Sequence, residues 1–230
     1  MTRLFLGVRD FQQRIFGGKR ELFEQLGSGQ HPLALFITCS DSRIVPDLLA
    51  QTQPGELFVL RNAGNIVPPH GATPGAEAAT IEYAVRQLRI REIVVCGHSH
   101  CGAMHGVLAP EALTNLPDVA AWLTHAKDAV SKAPPLPGET PEQRLRRVIE
   151  QNVLLQLEHV KSHPTVMEAL ASRTMRLHGW VYTFETGKVD VYDPLSGRFV
   201  PIHEQFRSKM LENVDAELSK VERTVWNTHI

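Results

Sequence analysis

Leu33-Ala34-Leu35-Phe36-Ile37-Thr38-Cys39 is a nearly continuous apolar run that stops abruptly at Ser40-Asp41-Ser42-Arg43. A run of that length without polar alternation predicts a strand covered on both faces, the strand type of parallel sheets. Downstream, residues 56–61 follow the turn signal Gln53-Pro54-Gly55, and Ile93-Val94-Val95-Cys96-Gly97 repeats the apolar pattern, which predicts a second and a third strand. A short helix over 46–50 separates the first two. A helix over 75–88, periodic through Ala76, Ala79, Tyr83, Ala84 and Leu88, separates the next two. This alternation predicts a parallel sheet with right-handed crossovers, whose ligand sites lie at the carboxyl ends of its strands. Cys39 and His98 both fall at such ends.

The flanks complete the expectation. Residues 3–26 read as an amphipathic helix broken at Gly17-Gly18, giving an N-terminal helical arm over 1–30. Residues 113–131 read as mixed helix, the Pro-rich stretch 133–141 as a surface loop, and 144–161 as a strongly periodic helix ended by His163-Pro164, with a short helix after it. Residues 177–184 and 188–192, joined by Glu185-Thr186-Gly187, read as a hairpin. The expected fold class is therefore α/β: a mostly parallel central β-sheet flanked by helices, with an N-terminal helical arm and a C-terminal antiparallel edge hairpin. The expectation is one domain over 1–230, with 200–230 as a C-terminal tail.

With 24 basic and 25 acidic side chains among 230 residues, the net charge of −1 argues against nucleic acid and against an anionic membrane surface as partners. No stretch has the apolar length of a membrane helix and residues 1–17 lack a signal peptide's apolar block, so a cytoplasmic protein is expected. Three cysteines, Cys39, Cys96 and Cys101, do not make a disulfide framework, which leaves metal binding or core packing.

Cys39-x-Asp41-x-Arg43 alone has an ordinary reading, a buried thiol beside a local ion pair. His98-Ser99-His100-Cys101-Gly102 alone is equally weak. Together they supply two thiolates and one imidazole, a ligand set that suits zinc, and three protein ligands are the number a catalytic zinc takes while keeping a position open. Cys96 reads as core. His100 reads as pointing away from the shared target, and His105, His125, His159 and His163 as solvated or capping residues.

Those segments, with His98 59 positions after Cys39, resemble the signature of the β-carbonic anhydrases of the plant-type subgroup, in wording closest to bacterial, cyanobacterial and carboxysomal members. Pro54-Gly55-Glu56, Arg61-Asn62-Ala63-Gly64-Asn65 and His178-Gly179-Trp180 extend the likeness over about residues 1–200. The resemblance implies reversible hydration of carbon dioxide to bicarbonate and a proton by zinc-bound hydroxide, with one Zn2+ per chain on Cys39, His98 and Cys101. It implies that Asp41 accepts a hydrogen bond from that hydroxide while Arg43 holds Asp41 off the metal. If the pair opens, Asp41 becomes a fourth ligand and closes the site. It further implies a substrate pocket of Gln30, nine residues before Cys39, with Phe58, Ala63, Tyr83 and Gly102, some of them reaching in from a neighbouring subunit. A homo-oligomer, a dimer or a higher even assembly, is thus expected, with the carboxysome and a carboxysome scaffold protein as further expected residence and partner. Phe36 stands where members with an allosteric bicarbonate site carry tryptophan, although Arg61 and Tyr182 match that constellation. Gln87 stands where plant enzymes place a histidine, so no proton shuttle is assigned. Two other readings stay open: a related zinc hydrolase such as a carbon disulfide hydrolase, and a non-catalytic zinc-stabilised module that binds partners.

Overall fold

The structure of the protein is a computed structural model that describes residues 1–72 and 75–205. The expected C-terminal tail lies outside the described residues from position 206 onward. The N-terminal arm comprises α1 (Thr2–Asp10), a wider turn over Phe11–Ile15, a tighter one over Phe16–Lys19, and α2 (Arg20–Leu26). Gly17 and Gly18 fall in the turn that separates the helices, as their low helix propensity predicts. Within the arm Phe16 stacks on Phe23 at 5.6 Å between centroids and Phe11 meets both edge-on at 6.1 Å.

Beyond the arm the chain forms β1 (Ala34–Cys39), α3 (Pro46–Ala50), β2 (Leu57–Asn62), α4 (Ala76–Glu82) continued by a wider turn over Tyr83–Gln87, β3 (Glu92–His98) and α5 (Gly102–Leu108). Then come α6 (Pro117–Leu123), α7 (Asp128–Ser131), α8 (Pro141–Lys161), α9 (Pro164–Ala171), β4 (Arg176–Thr183), β5 (Lys188–Asp193) and β6 (Arg198–Pro201). The sheet runs β2-β1-β3-β4-β5-β6. Its first four strands are mutually parallel and the last two antiparallel. The parallel part is buried on both faces, and Leu35, Ile37, Ile93 and Val95 are fully enclosed, which is why β1 and β3 are continuous apolar runs. β2 lies at an edge, with Val59 37% exposed.

The long helix α8 crosses β3 and β4 obliquely, over a glycine in each strand, Gly97 and Gly179, two residues apart in register. A Cβ at Gly97 would stand 2.9 Å from Val153 Cγ2, and one at Gly179 would stand 3.0 Å from Val153 Cγ1. The two glycines therefore let the helix seat directly on the strand that ends in His98. Arg146 on α8 binds Glu150 and Asp190, each at 2.7 Å, tying the helix to β5.

Three expectations need correction. α8 begins at Pro141, not 144, because Thr140 caps it: its hydroxyl accepts from the Gln143 N–H at 3.2 Å while the Gln143 side chain accepts from the Thr140 N–H at 2.9 Å. The C-terminal hairpin gains a third strand, β6, paired with β5. His163, expected to be solvated or capping, is not solvated: it is 4% exposed, stands at the N-cap of α9 without a side-chain cap bond, and has Nε2 3.2 Å from the Pro68 carbonyl. Among the described residues no helix is long and apolar enough to cross a membrane.

Candidate metal centre

β1 and β3 are neighbours in the sheet and both end at the same level, so Cys39 and His98 emerge side by side, and the turn after β3 returns Cys101 to them. One possible ligand atom from each of Cys39, His98 and Cys101 lies within 4.8 Å of the other two, and all three residues are buried. His98 shows the ring orientation a metal ligand needs. Its Nδ1 faces the Ser99 carbonyl at 2.8 Å, which makes Nδ1 the protonated nitrogen and leaves the Nε2 lone pair free. Nε2 is buried and has no hydrogen-bond partner among the described residues. A buried imidazole nitrogen with nothing to bond is costly unless something fills the gap. A soft, tetrahedral dication with Cys2His ligands fits that gap and this donor set.

The two sulfurs titrate as a pair. A hydrogen bond from the Cys101 thiol pulls Cys39 down to about 4 against the upward push of burial, helped by His98 and by the N–H groups of Gly64 and Asp41. The same bond, burial and the Cys39 charge push Cys101 well above its ordinary value. The first proton leaves readily and the second is held by its bond to the Cys39 sulfur, by burial and by repulsion between adjacent thiolates, and a dication between the sulfurs relieves that repulsion. Cys96 stays outside the group. It is fully enclosed and burial pushes its thiol up to about 12, so it remains a neutral core residue.

Asp41 and Arg43 follow on the loop after β1. Arg43 binds both carboxylate oxygens of Asp41, Nε to Oδ1 at 2.9 Å and Nη2 to Oδ2 at 2.7 Å, and its backbone N–H adds a third bond at 2.9 Å. This paired guanidinium holds the Asp41 carboxyl well below the usual carboxylate range. The fork is itself located by Phe184, over whose ring the guanidinium carbon lies at 4.7 Å, and Phe184 stacks on His98 at 4.9 Å. Arg61 donates to the carbonyls of Cys39 at 3.0 Å, Asp41 at 2.7 Å and Ile44 at 3.0 Å, so it pins the loop that carries the dyad. His100 takes a left-handed backbone, φ 54°, and turns its ring to Glu185, away from the sulfurs.

The expected pocket residues divide. Gly102 opens α5 directly after Cys101, and Ala63 precedes Gly64, whose N–H reaches Cys39 Sγ at 3.3 Å. Phe58 and Tyr83 stack on each other at 6.0 Å, but Phe58 lies in register with Leu35. Four residues of strand place it roughly 13 Å from the level of Cys39. Gln30 is exposed in the connection before β1. These three are not gathered around the sulfurs of the same chain. Phe184, Arg61 and the Gly64 N–H were not anticipated as neighbours of the site. For Phe184 the available signal was its place at the end of the expected strand 177–184; the pairing of that strand with β3 comes only with the fold.

The carbonic anhydrase family model matches residues 34–189. A carbonic anhydrase of Pseudomonas aeruginosa is 46% identical over 204 residues, covering 89% of this chain and 93% of that protein. The solved structure of the β-carbonic anhydrase CcaA superposes with a TM-score of 0.84 at 43% identity, covering 87% of this chain and 91% of that one. A structure from work on two tetrameric β-carbonic anhydrases of Sordaria macrospora superposes with a TM-score of 0.66 at 30% identity, over 83% and 92% of the two chains. Likeness of that extent, in sequence and in fold together, means that the chain belongs to the β-carbonic anhydrase family.

Proposed function

We propose that the chain hydrates carbon dioxide to bicarbonate with one zinc ion per chain, held by Cys39, His98 and Cys101. The observation that carries this reading is the buried, unpartnered Nε2 of His98 beside two sulfurs. When bound there, zinc supplies the Lewis acidity that makes a water nucleophilic near neutral pH. The protein's own groups do the rest. Asp41, kept ionised by Arg43, accepts two bonds at Oδ1 and one at Oδ2, so the lone pair left on Oδ2 can take a hydrogen bond from the attacking water and orient it. Arg43 also anchors Asp41 in place, which favours an open site over one closed by the carboxylate. The Gly102 N–H is available to a substrate oxygen, and Ala63 offers an apolar wall suited to an uncharged gas.

A homo-oligomer is part of the same proposal. Leu4, Phe5, Val8 and Ile15 of the arm are between 47% and 69% exposed, an apolar face of the kind that marks an association surface. The tetrameric relatives from Sordaria macrospora support a second copy of this chain as its partner. That copy would bring Gln30, Phe58 and Tyr83 to the site, since their own chain does not. The ligand assignment is tested by elemental analysis of the purified chain and of His98→Ala. About one zinc per chain is expected in the first and little in the second. A full metal complement in His98→Ala would refute the assignment.

A further inference from the structure

The Cys39 sulfur accepts from the N–H of Gly64, and that peptide is held at both ends. The carbonyl of the same peptide unit, Ala63 C=O, accepts from the indole Nε1–H of Trp122 at 2.8 Å. The next carbonyl, Gly64 C=O, accepts from Asn152 Nδ2 at 3.0 Å. Asn152 in turn accepts from Gln156 Nε2 at 2.9 Å, and Gln156 Oε1 accepts from the Val67 N–H at 2.9 Å. Asn152 and Gln156 are 1% and 0% exposed, so this polar chain runs through the core and each bond in it is hard to replace. Gly64 itself sits at φ +85°, and a Cβ there would stand 2.9 Å from Ala103 Cβ. Only glycine fits this turn without strain or displacement of α5.

An indole N–H is a donor and nothing else. Bonded to Ala63 C=O, it polarises the peptide and strengthens the opposite N–H, by about 10–30% on general estimates of hydrogen-bond cooperativity. That N–H is the one given to sulfur. Two thiolates donate more charge to a metal than imidazoles do and make its bound water less acidic, so a hydrogen bond that draws on a sulfur lone pair works in the compensating direction.

We propose that Trp122 is a positioning residue of the metal centre: through the Ala63-Gly64 peptide it fixes and strengthens the N–H donated to Cys39, and so moderates the charge that this sulfur gives the metal. The proposal rests on the three-ligand reading above. Trp122 touches neither metal nor substrate, and packing alone would not require its N–H to meet this one peptide. His125 supplies the control, because its ring meets the same indole edge-on at 5.8 Å without reaching the peptide.

The test replaces zinc by cobalt in the full chain and reads the sulfur-to-cobalt charge-transfer absorption. Trp122→Phe keeps an aromatic ring and removes the donor. The band is expected to move to longer wavelength at unchanged cobalt content, with kcat/KM of the zinc form lowered about 10-fold, whereas His125→Ala leaves the band in place. An unmoved band in Trp122→Phe overturns the proposal. A complete lack of such a band in the unaltered chain fails the three-ligand reading instead. Should Trp122→Phe not fold, the unaltered chain loaded with a magnetically active cadmium isotope decides. Through-bond coupling between cadmium and the Gly64 amide proton is expected, and its absence overturns the proposal.

Discussion

Gly97→Ala tests whether the seat of α8 on the sheet is as tight as the structure shows. Gly97 is a strand residue outside the left-handed region, so the substitution strains no backbone angle. Its whole effect comes from the new methyl group, which meets Val153 Cγ2 at 2.9 Å and Ile149 Cγ2 at 3.0 Å. Both neighbours are β-branched residues in a helix and have one strongly preferred rotamer, so neither can swing aside cheaply. Overpacking of this kind costs about 1–3 kcal/mol. The reduced freedom of the unfolded chain offsets about 0.4–1 kcal/mol of it. A net loss of about 1–2 kcal/mol is expected in urea unfolding at fixed protein concentration and metal load. Val153→Ala removes the nearer of the two obstructing methyls and leaves Ile149 Cγ2, so in the double variant the two changes should couple favourably by at least about 0.5 kcal/mol. A Gly97→Ala protein as stable as its parent, or a strictly additive double variant, would refute the packing argument. The functional consequence is local, since the next residue is His98.

Two further outcomes follow from the site and its surroundings. Arg43→Lys keeps the charge but loses the fork that binds both Asp41 oxygens, so kcat/KM should fall about 10- to 100-fold at unchanged zinc content; hydration at the parent rate would show that the fork is dispensable. His159 and His163 have pKa values lowered by burial, against the opposing pull of the Val67 and Pro68 carbonyls. Between their ordinary value of about 6.5 and their lowered folded values the unfolded chain therefore binds more protons than the folded one, so the stability they confer is complete above the first and lost as pH falls through the second. The urea midpoint should drop on acidification, less steeply in His163→Gln, and an identical pH slope in that variant would contradict the assignment.

The parallel sheet was legible because double burial writes itself into β1 and β3 as unbroken apolar runs, and the ends of those runs located Cys39 and His98. The expected start of α8 falls three residues late although Thr140-Pro141-x-Gln143 carries its signal, because the prolines of 133–141 fit a loop and Pro141 fits equally the first position of a helix. β6 was missed because four residues ending in proline give too little alternation to read. The polar chain through Asn152 and Gln156 was visible only as two interruptions, four residues apart, of an apolar helix face. What they bind belongs to a loop about 90 positions away, which periodicity cannot report. The expected solvation of His163 failed for the same reason, since its burial depends on the loop holding Pro68, whereas His105 is exposed. Gln30, Phe58 and Tyr83 were expected in the pocket by likeness alone, some of them from a neighbouring subunit, and the fold holds them away from their own chain's sulfurs.

The central claim is that metal-dependent hydration occurs at the Cys39, His98 and Cys101 centre. Stopped-flow measurement of carbon dioxide hydration on zinc-loaded, chelator-stripped and zinc-restored protein addresses it most directly. Rapid hydration is expected in the loaded protein, near-background rates after stripping, and recovery with about one equivalent of zinc. Equal rates in the stripped and loaded protein, or no hydration by protein that holds its zinc, would contradict the account.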